Sequence, residues 1–157
     1  MSSSAGNRSN MLWLALTFTA FAAGAATSGQ STVAWPWSPA QDAVKADPTH
    51  HKILYEDANI RILEVVVAPG AKEESHTHQW SSVFLIDSFP TFKLHYQCND
   101  KALCRHGKTT TIDRPLSGTP MPVVAKNGPD GLHYATNEDT IPFHGYKIEY
   151  KKLQFSE

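Results

Sequence analysis

Concentrated positive charge is missing from this chain. Its 14 Lys and Arg stand against 15 Asp and Glu, for a net charge of -1. No stretch gathers the basic residues, so nothing in it asks for a phosphate backbone or an anionic membrane surface, and no nucleic-acid partner is expected. Cysteine is scarce as well. Cys98 and Cys104 are the only two, too few to build a zinc site by themselves. There is no Gly-rich phosphate loop, no nucleotide fingerprint and no Ser-His-Asp ordering. No internal repeat or low-complexity block is visible. After the first segment there is also no amphipathic helix of ten or more residues.

What the chain does contain begins with a polar, positive start carrying Arg8, then the apolar run MLWLALTFTAFAAGAA. Small residues follow, and Ala23-Gly24-Ala25 fits the A-x-A rule of signal peptidase. The run is shorter than the roughly 20 residues needed to span a bilayer. Residues 1–25 are therefore expected to be a secretory signal peptide, with the mature protein periplasmic or secreted and holding no membrane contact after cleavage. Export sets an oxidising environment. Cys98 and Cys104 have five residues between them, and a disulfide closing that small loop is expected, worth about 2 kcal/mol.

The 157 residues suffice for one domain with a core, and are too few for two ordinary ones. Residues 26–50 carry Trp35 and Trp37 without any period and are expected to form an N-terminal extension, with one short helical turn ending near Pro48. From there the pattern is β. KILYE, the turn residues Asp57-Ala58-Asn59 and IRILEVVVA predict two strands joined by a tight turn. In the second strand Arg61, Leu63, Val65 and Val67 share one face, opposite Ile60, Ile62, Glu64 and Val66. Further strands are predicted at 73–78, 81–86, 91–98, 109–112, 121–125, 132–136 and 145–153, with turns at Pro69-Gly70 and Pro129-Asp130-Gly131. Many short strands with such turns indicate an all-β sandwich or barrel over residues 51–157.

His76-Thr77-His78 puts two imidazoles on one face of a strand, where they can reach one metal ion, with Glu74 on the same face. His133 lies on a later strand, followed four residues on by Asn137. Here the sequence resembles the cupin superfamily. Gly70, five residues and then His76-x-His78 match its first motif, and Pro129-x-Gly131, His133 and Asn137 resemble its second. The chain departs from the pattern in three places. Ser82 or Val83 stands where the first motif has Glu, one residue separates Gly131 from His133, and the Gly that ends the first motif is absent near Asp87.

The resemblance implies a single-domain, cupin-type double-stranded β-helix, a jelly-roll barrel. It also implies a divalent metal (Fe, Zn, Ni, Cu or Mn) on His76, His78 and His133, similar to the three-His site of thiol dioxygenases. Glu74 or Gln79 is a candidate fourth ligand. The favoured reading is an exported metal-binding cupin with a small-molecule pocket and dioxygenase chemistry, as a monomer or homodimer. Two alternatives stand beside it. One is a non-catalytic binding or sensing barrel. The other is a metal-dependent lyase or isomerase in which Tyr134 or Glu74 moves a proton. His50, His51, His95, His106 and His144 show no convergent spacing and are expected in solvent. Trp80, Phe84 and Phe92 are expected in the core or the pocket wall.

Overall fold

A computed structural model describes residues 35–97 and 109–153. The expected signal peptide and the Cys98–Cys104 disulfide lie outside the described residues.

The first described element is a short 3-10 turn, Pro39–Gln41, capped by the Ser38 hydroxyl. It leads into the single-turn helix α1 (Ala43–Ala46), whose N-cap is Asp42. Nine strands follow: β1 (His51–Glu56), β2 (Ile60–Val67), β3 (His76–His78), β4 (Ser81–Ser88), β5 (Phe92–Tyr96), β6 (Thr109–Ile112), β7 (Val123–Asn127), β8 (Asp130–Asn137) and β9 (Phe143–Tyr150). They form two antiparallel sheets, ordered β1-β2-β9-β4-β7 and β3-β8-β5-β6. The fold is all-β, as expected.

Local chemistry explains the turns. The Asp57 carboxylate accepts the N–H groups of Asn59 at 2.7 Å and Ile60 at 2.8 Å, closing the β1–β2 hairpin as an Asx turn. Gly70, at φ 73°, supplies the left-handed residue that lets the chain leave β2. Asn137 is fully buried, and its amide donates to Val67 O and Ile141 O, both at 2.9 Å. It ties the end of β2 to the β8–β9 turn, so this residue of the second motif serves the framework. Several boundaries differ from the sequence expectation, and two of these lie beside the histidines. The polar strand at 73–78 shortens to His76–His78, because Glu73 bonds as an irregular segment to β8 through Ala135. The predicted Pro-Asp-Gly turn is cut short because Asp130 already pairs with His78, so β8 starts there.

Antiparallel partners share a face, so register decides what enters the interior. Leu63, Val65 and Val67 of β2 face inward, as their alternation predicts. Opposite them on β9 stand Lys147, Gly145 and Phe143. The core proper is small: Leu63, Val65, Val67, Ile86 and Phe143, with Phe84, Phe89 and Phe92 packed against it. Gly145 sits at its tightest point. A Cβ there would lie 2.7 Å from the Leu85 carbonyl oxygen and 2.9 Å from the Phe84 ring. Gly145→Ala is therefore expected to lose about 1–3 kcal/mol of stability, as overpacking does. Urea denaturation measures this, and an unchanged midpoint would contradict the packing described.

Candidate metal centre

Four histidines meet between the two sheets. His76 and His78 come from β3, His133 from β8 and His51 from the start of β1. All four are buried, none more than 5% exposed. His76 lies 4.4 Å from His51, 5.1 Å from His78 and 4.5 Å from His133, ring centroid to ring centroid. The nitrogens of His51, His76 and His78 fall within 4.8 Å of one another. Of the residues proposed from sequence, His76, His78 and His133 are thus brought together, but the tightest trio contains His51 in place of His133.

His51 was expected in solvent, and that expectation is corrected. Its place follows from register: it pairs with Val65, an inward position of β2, so its ring points inward too. Only knowledge of the pairing could have shown this, since His51 opens its strand and has no inward neighbour before it. Glu74 is likewise corrected, because it is exposed while Glu73 is buried and lines the cavity. Gln79 is exposed. Tyr134 lies on the outer face of β8, stacked on His95 at 4.5 Å, with the Lys72 ammonium over its ring. His50 and His144 bind Asp47 and Asp87, and His106 is outside the described residues.

Each imidazole of the cluster is held in the same way. His76 Nδ1 donates to the Glu74 carbonyl at 2.8 Å and His133 Nδ1 to the Gly131 carbonyl at 2.6 Å. His51 Nδ1 contacts the Asp47 carbonyl at 3.3 Å, and His78 Nδ1 donates to Glu149 Oε1 at 2.8 Å. With every Nδ1–H engaged, each Nε2 is left with its lone pair free. This is how proteins orient metal-ligating histidines. The donor set fits a divalent transition metal, for which imidazole is a favoured ligand.

Glu149 is itself fixed. Arg61 Nε donates to its Oε2 at 2.5 Å, and the same guanidinium makes a bidentate pair with Asp42 at 2.8 and 3.0 Å. The chain Asp42–Arg61–Glu149–His78 therefore runs from the α1 cap to the cluster. Where the first motif would place its Glu, Ser82 is buried directly across from Glu149, and its Oγ has no hydrogen-bond partner. Beside His51, Glu73 Oε1 lies 3.8 Å from Nε2, while its Oε2 accepts the Ala135 N–H at 2.8 Å.

A cavity of ≈ 400 Å³ opens from the cluster. Its apolar lining includes Phe84, Phe89, Phe92, Leu94 and Phe143, as anticipated for Phe84 and Phe92, with Lys147, Asn127, Asp130 and Thr110 among the polar residues. Trp80 instead lies beneath Arg61, 4.8 Å from the guanidinium carbon.

No protein-family model and no curated protein matches the chain. Solved structures do. A cupin domain from Bordetella pertussis superposes with a TM-score of 0.51 at 15% identity, covering 64% of this chain and 91% of that one. A double-stranded β-helix protein from Klebsiella pneumoniae gives 0.45 at 16% identity over 67% of this chain and 78% of its own. A cupin 2 barrel protein from Salinispora arenicola gives 0.42, also at 16%, over 65% and 75%. The first of these carries the assignment, and it defines the fold: the chain is a cupin-type double-stranded β-helix, the class its two motifs imply.

Burial dominates the electrostatics of the cluster. Desolvation, with the Lys147 charge next, pushes His51 from 6.5 down to about 3. Desolvation also holds His76 and His78 well below their usual value and lowers His133. Buried Glu73 rises from 4.5 to about 7, and Glu149 rises too, although Arg61 pulls it back. A depressed imidazole leaves the native state short of a proton that the unfolded chain binds below 6.5. Each such group therefore removes stability as pH falls, by about 1.4 kcal/mol per pH unit, down to its folded value. The raised carboxyls act oppositely, because the folded state keeps protons that the unfolded chain loses above about 4.5. Four imidazoles outweigh two carboxyls. The chelator-stripped protein is thus expected to lose urea resistance steadily from pH 6.5 to 5. A stability that stays flat or rises over that range would contradict the buried, neutral cluster.

Proposed function

We propose that the protein is an exported cupin that holds one divalent metal ion through His76, His78 and His133, with His51 as a fourth imidazole, and that it acts on a small molecule in the adjoining cavity. The observation that supports this reading is the common orientation of the four rings, each with Nδ1 occupied and Nε2 free. Buried histidines without an ion would gain nothing from that arrangement and would sit in an apolar barrel only at a desolvation penalty.

Dioxygenase chemistry is the reaction proposed. When bound, a redox-active ion supplies Lewis acidity and electron transfer, and an imidazole set leaves coordination positions open for substrate and oxygen. The protein's own residues orient the ligands and exclude water. Glu149 sets the tautomer of His78, the carbonyls of Glu74, Gly131 and Asp47 set the others, and the phenylalanines line the substrate space. Lyase or isomerase chemistry is the second reading. Glu73, which lines the cavity beside His51, favours it, and takes the proton-carrying place once assigned to Glu74 or Tyr134. Oxygen uptake during turnover separates the two.

Elemental analysis of never-chelated protein tests the metal reading. Wild type is expected to carry about one ion per chain, and the Ala variants of His51, His76, His78 and His133 close to none, because the imidazoles bind only as a set. His95→Ala and His144→Ala are expected to keep it. Glu149→Gln is expected to weaken metal affinity about 10–100-fold, as loss of a ligand-orienting partner does. A wild-type protein that neither carries nor takes up metal would overturn the reading.

A further inference from the structure

Among the described residues, Lys147 is an inward cation of the barrel to which the metal reading gives no task. It points inward because β9 pairs it with Leu63 on β2 and with Phe84 on β4, both inner-face positions. It is 4% exposed and lines the cavity. Among the described residues its ammonium makes no hydrogen bond and no ion pair. Its Nζ lies over the Phe84 ring, 5.5 Å from the centroid. Burial lowers its pKa below the usual lysine value, while Asp130, Glu149 and Glu73 act through space to keep the proton on, and none of the three is within ion-pair distance. Glu149 is already held by Arg61 and His78, and Glu73 by the Ala135 N–H.

An ammonium that faces the cavity with no protein partner is unfavourable, and a Leu or Met in its place would avoid that penalty. Retaining the charge makes physical sense if a guest supplies the counter-ion. Lys147 is a single cation with three donors, and Asn127 and Thr110 are among the neutral polar side chains that line the same cavity. That set suits a singly charged carboxylate. A phosphate would carry nearly twice the charge, which one ammonium cannot match, and Asp130 on the same wall would repel it more strongly than a carboxylate. The rest of the wall is aromatic and aliphatic, and the volume of ≈ 400 Å³ is at the small end for ligand sites.

We propose that the cavity takes a small monocarboxylic acid with an apolar, ring-sized body, its carboxylate paired with Lys147 and its body packed among Phe84, Phe89, Phe92 and Phe143. This deepens the metal-site reading, on which the direction of the guest's reacting end rests. The Lys147–carboxylate pairing stands on the geometry of the cavity alone.

Calorimetric titration of the full chain with 3-phenylpropanoate and with the neutral 3-phenylpropanamide tests it, using zinc-loaded and chelator-stripped protein side by side. Wild type is expected to prefer the acid by at least about tenfold in both states, the gain of a charge-assisted hydrogen bond in a dry site. Lys147→Met is expected to abolish that preference while Lys147→Arg retains it. Equal binding of acid and amide by wild type, binding of neither, or an undiminished preference in Lys147→Met overturns the proposal. A preference that appears only with zinc and survives Lys147→Met puts the carboxylate on the ion, which overturns the Lys147 role and leaves the metal reading intact. A Lys147-dependent preference in a protein that fails to take up zinc does the reverse.

Discussion

Glu149 answers two demands at once, and the site depends on it. One oxygen accepts the Nδ1–H of His78 and the other the Nε–H of Arg61, all three side chains being buried. Removing the carboxylate would leave a guanidinium in the barrel with Asp42 as its remaining partner, and an imidazole free to turn over. Breaking a buried pair in this way is strongly destabilising, by about 3–5 kcal/mol. The same carboxylate connects the site to the segment before the barrel, since Asp42 both caps α1 and grips Arg61. Thr77, between the two β3 histidines, adds a second tie by donating to the Gln41 carbonyl at 3.0 Å.

The interior is divided along the strands. On β2 and β9 the inner face runs from the pair Arg61–Glu149 through Leu63–Lys147 and Val65–Gly145 to Val67–Phe143. The Arg61–Glu149 end is ionic and holds His78, while His51 enters farther along, opposite Val65. The other end is aromatic and holds the core. Such a gradient gives a site in which neutral ligands are kept neutral by burial and an apolar guest space begins directly beside them. The small hydrophobic core follows from it, because inner-face positions that would otherwise pack carry chemistry.

The strands were legible in the sequence because alternation of two is a local signal. β2 reads as Arg61, Leu63, Val65 and Val67 on one side, and these are its buried residues. The two motifs pointed to β3 and β8 and to three of the four clustered histidines. What stayed hidden depends on pairing between distant strands. His51 faces inward because it meets Val65, and Lys147 and Glu149 because they meet Leu63 and Arg61. On its own, the run Tyr146 to Tyr150 suggests tyrosines and isoleucine inside with Lys147 and Glu149 outside, and the barrel does the opposite. Glu73 was passed over for Glu74 because strand alternation was assumed where the chain is irregular, before β3 begins.

The Nε2 atoms of these buried histidines are proposed to surround a metal ion. X-ray absorption spectroscopy on protein loaded with one equivalent of Zn²⁺ tests it most directly. The predicted spectrum shows nitrogen scatterers at about 2.0–2.1 Å, the usual zinc–imidazole distance, with the outer-shell features of at least three imidazole rings. A shell of oxygens alone, a sulfur contribution near 2.3 Å from the cysteines, or fewer than three imidazoles would contradict it.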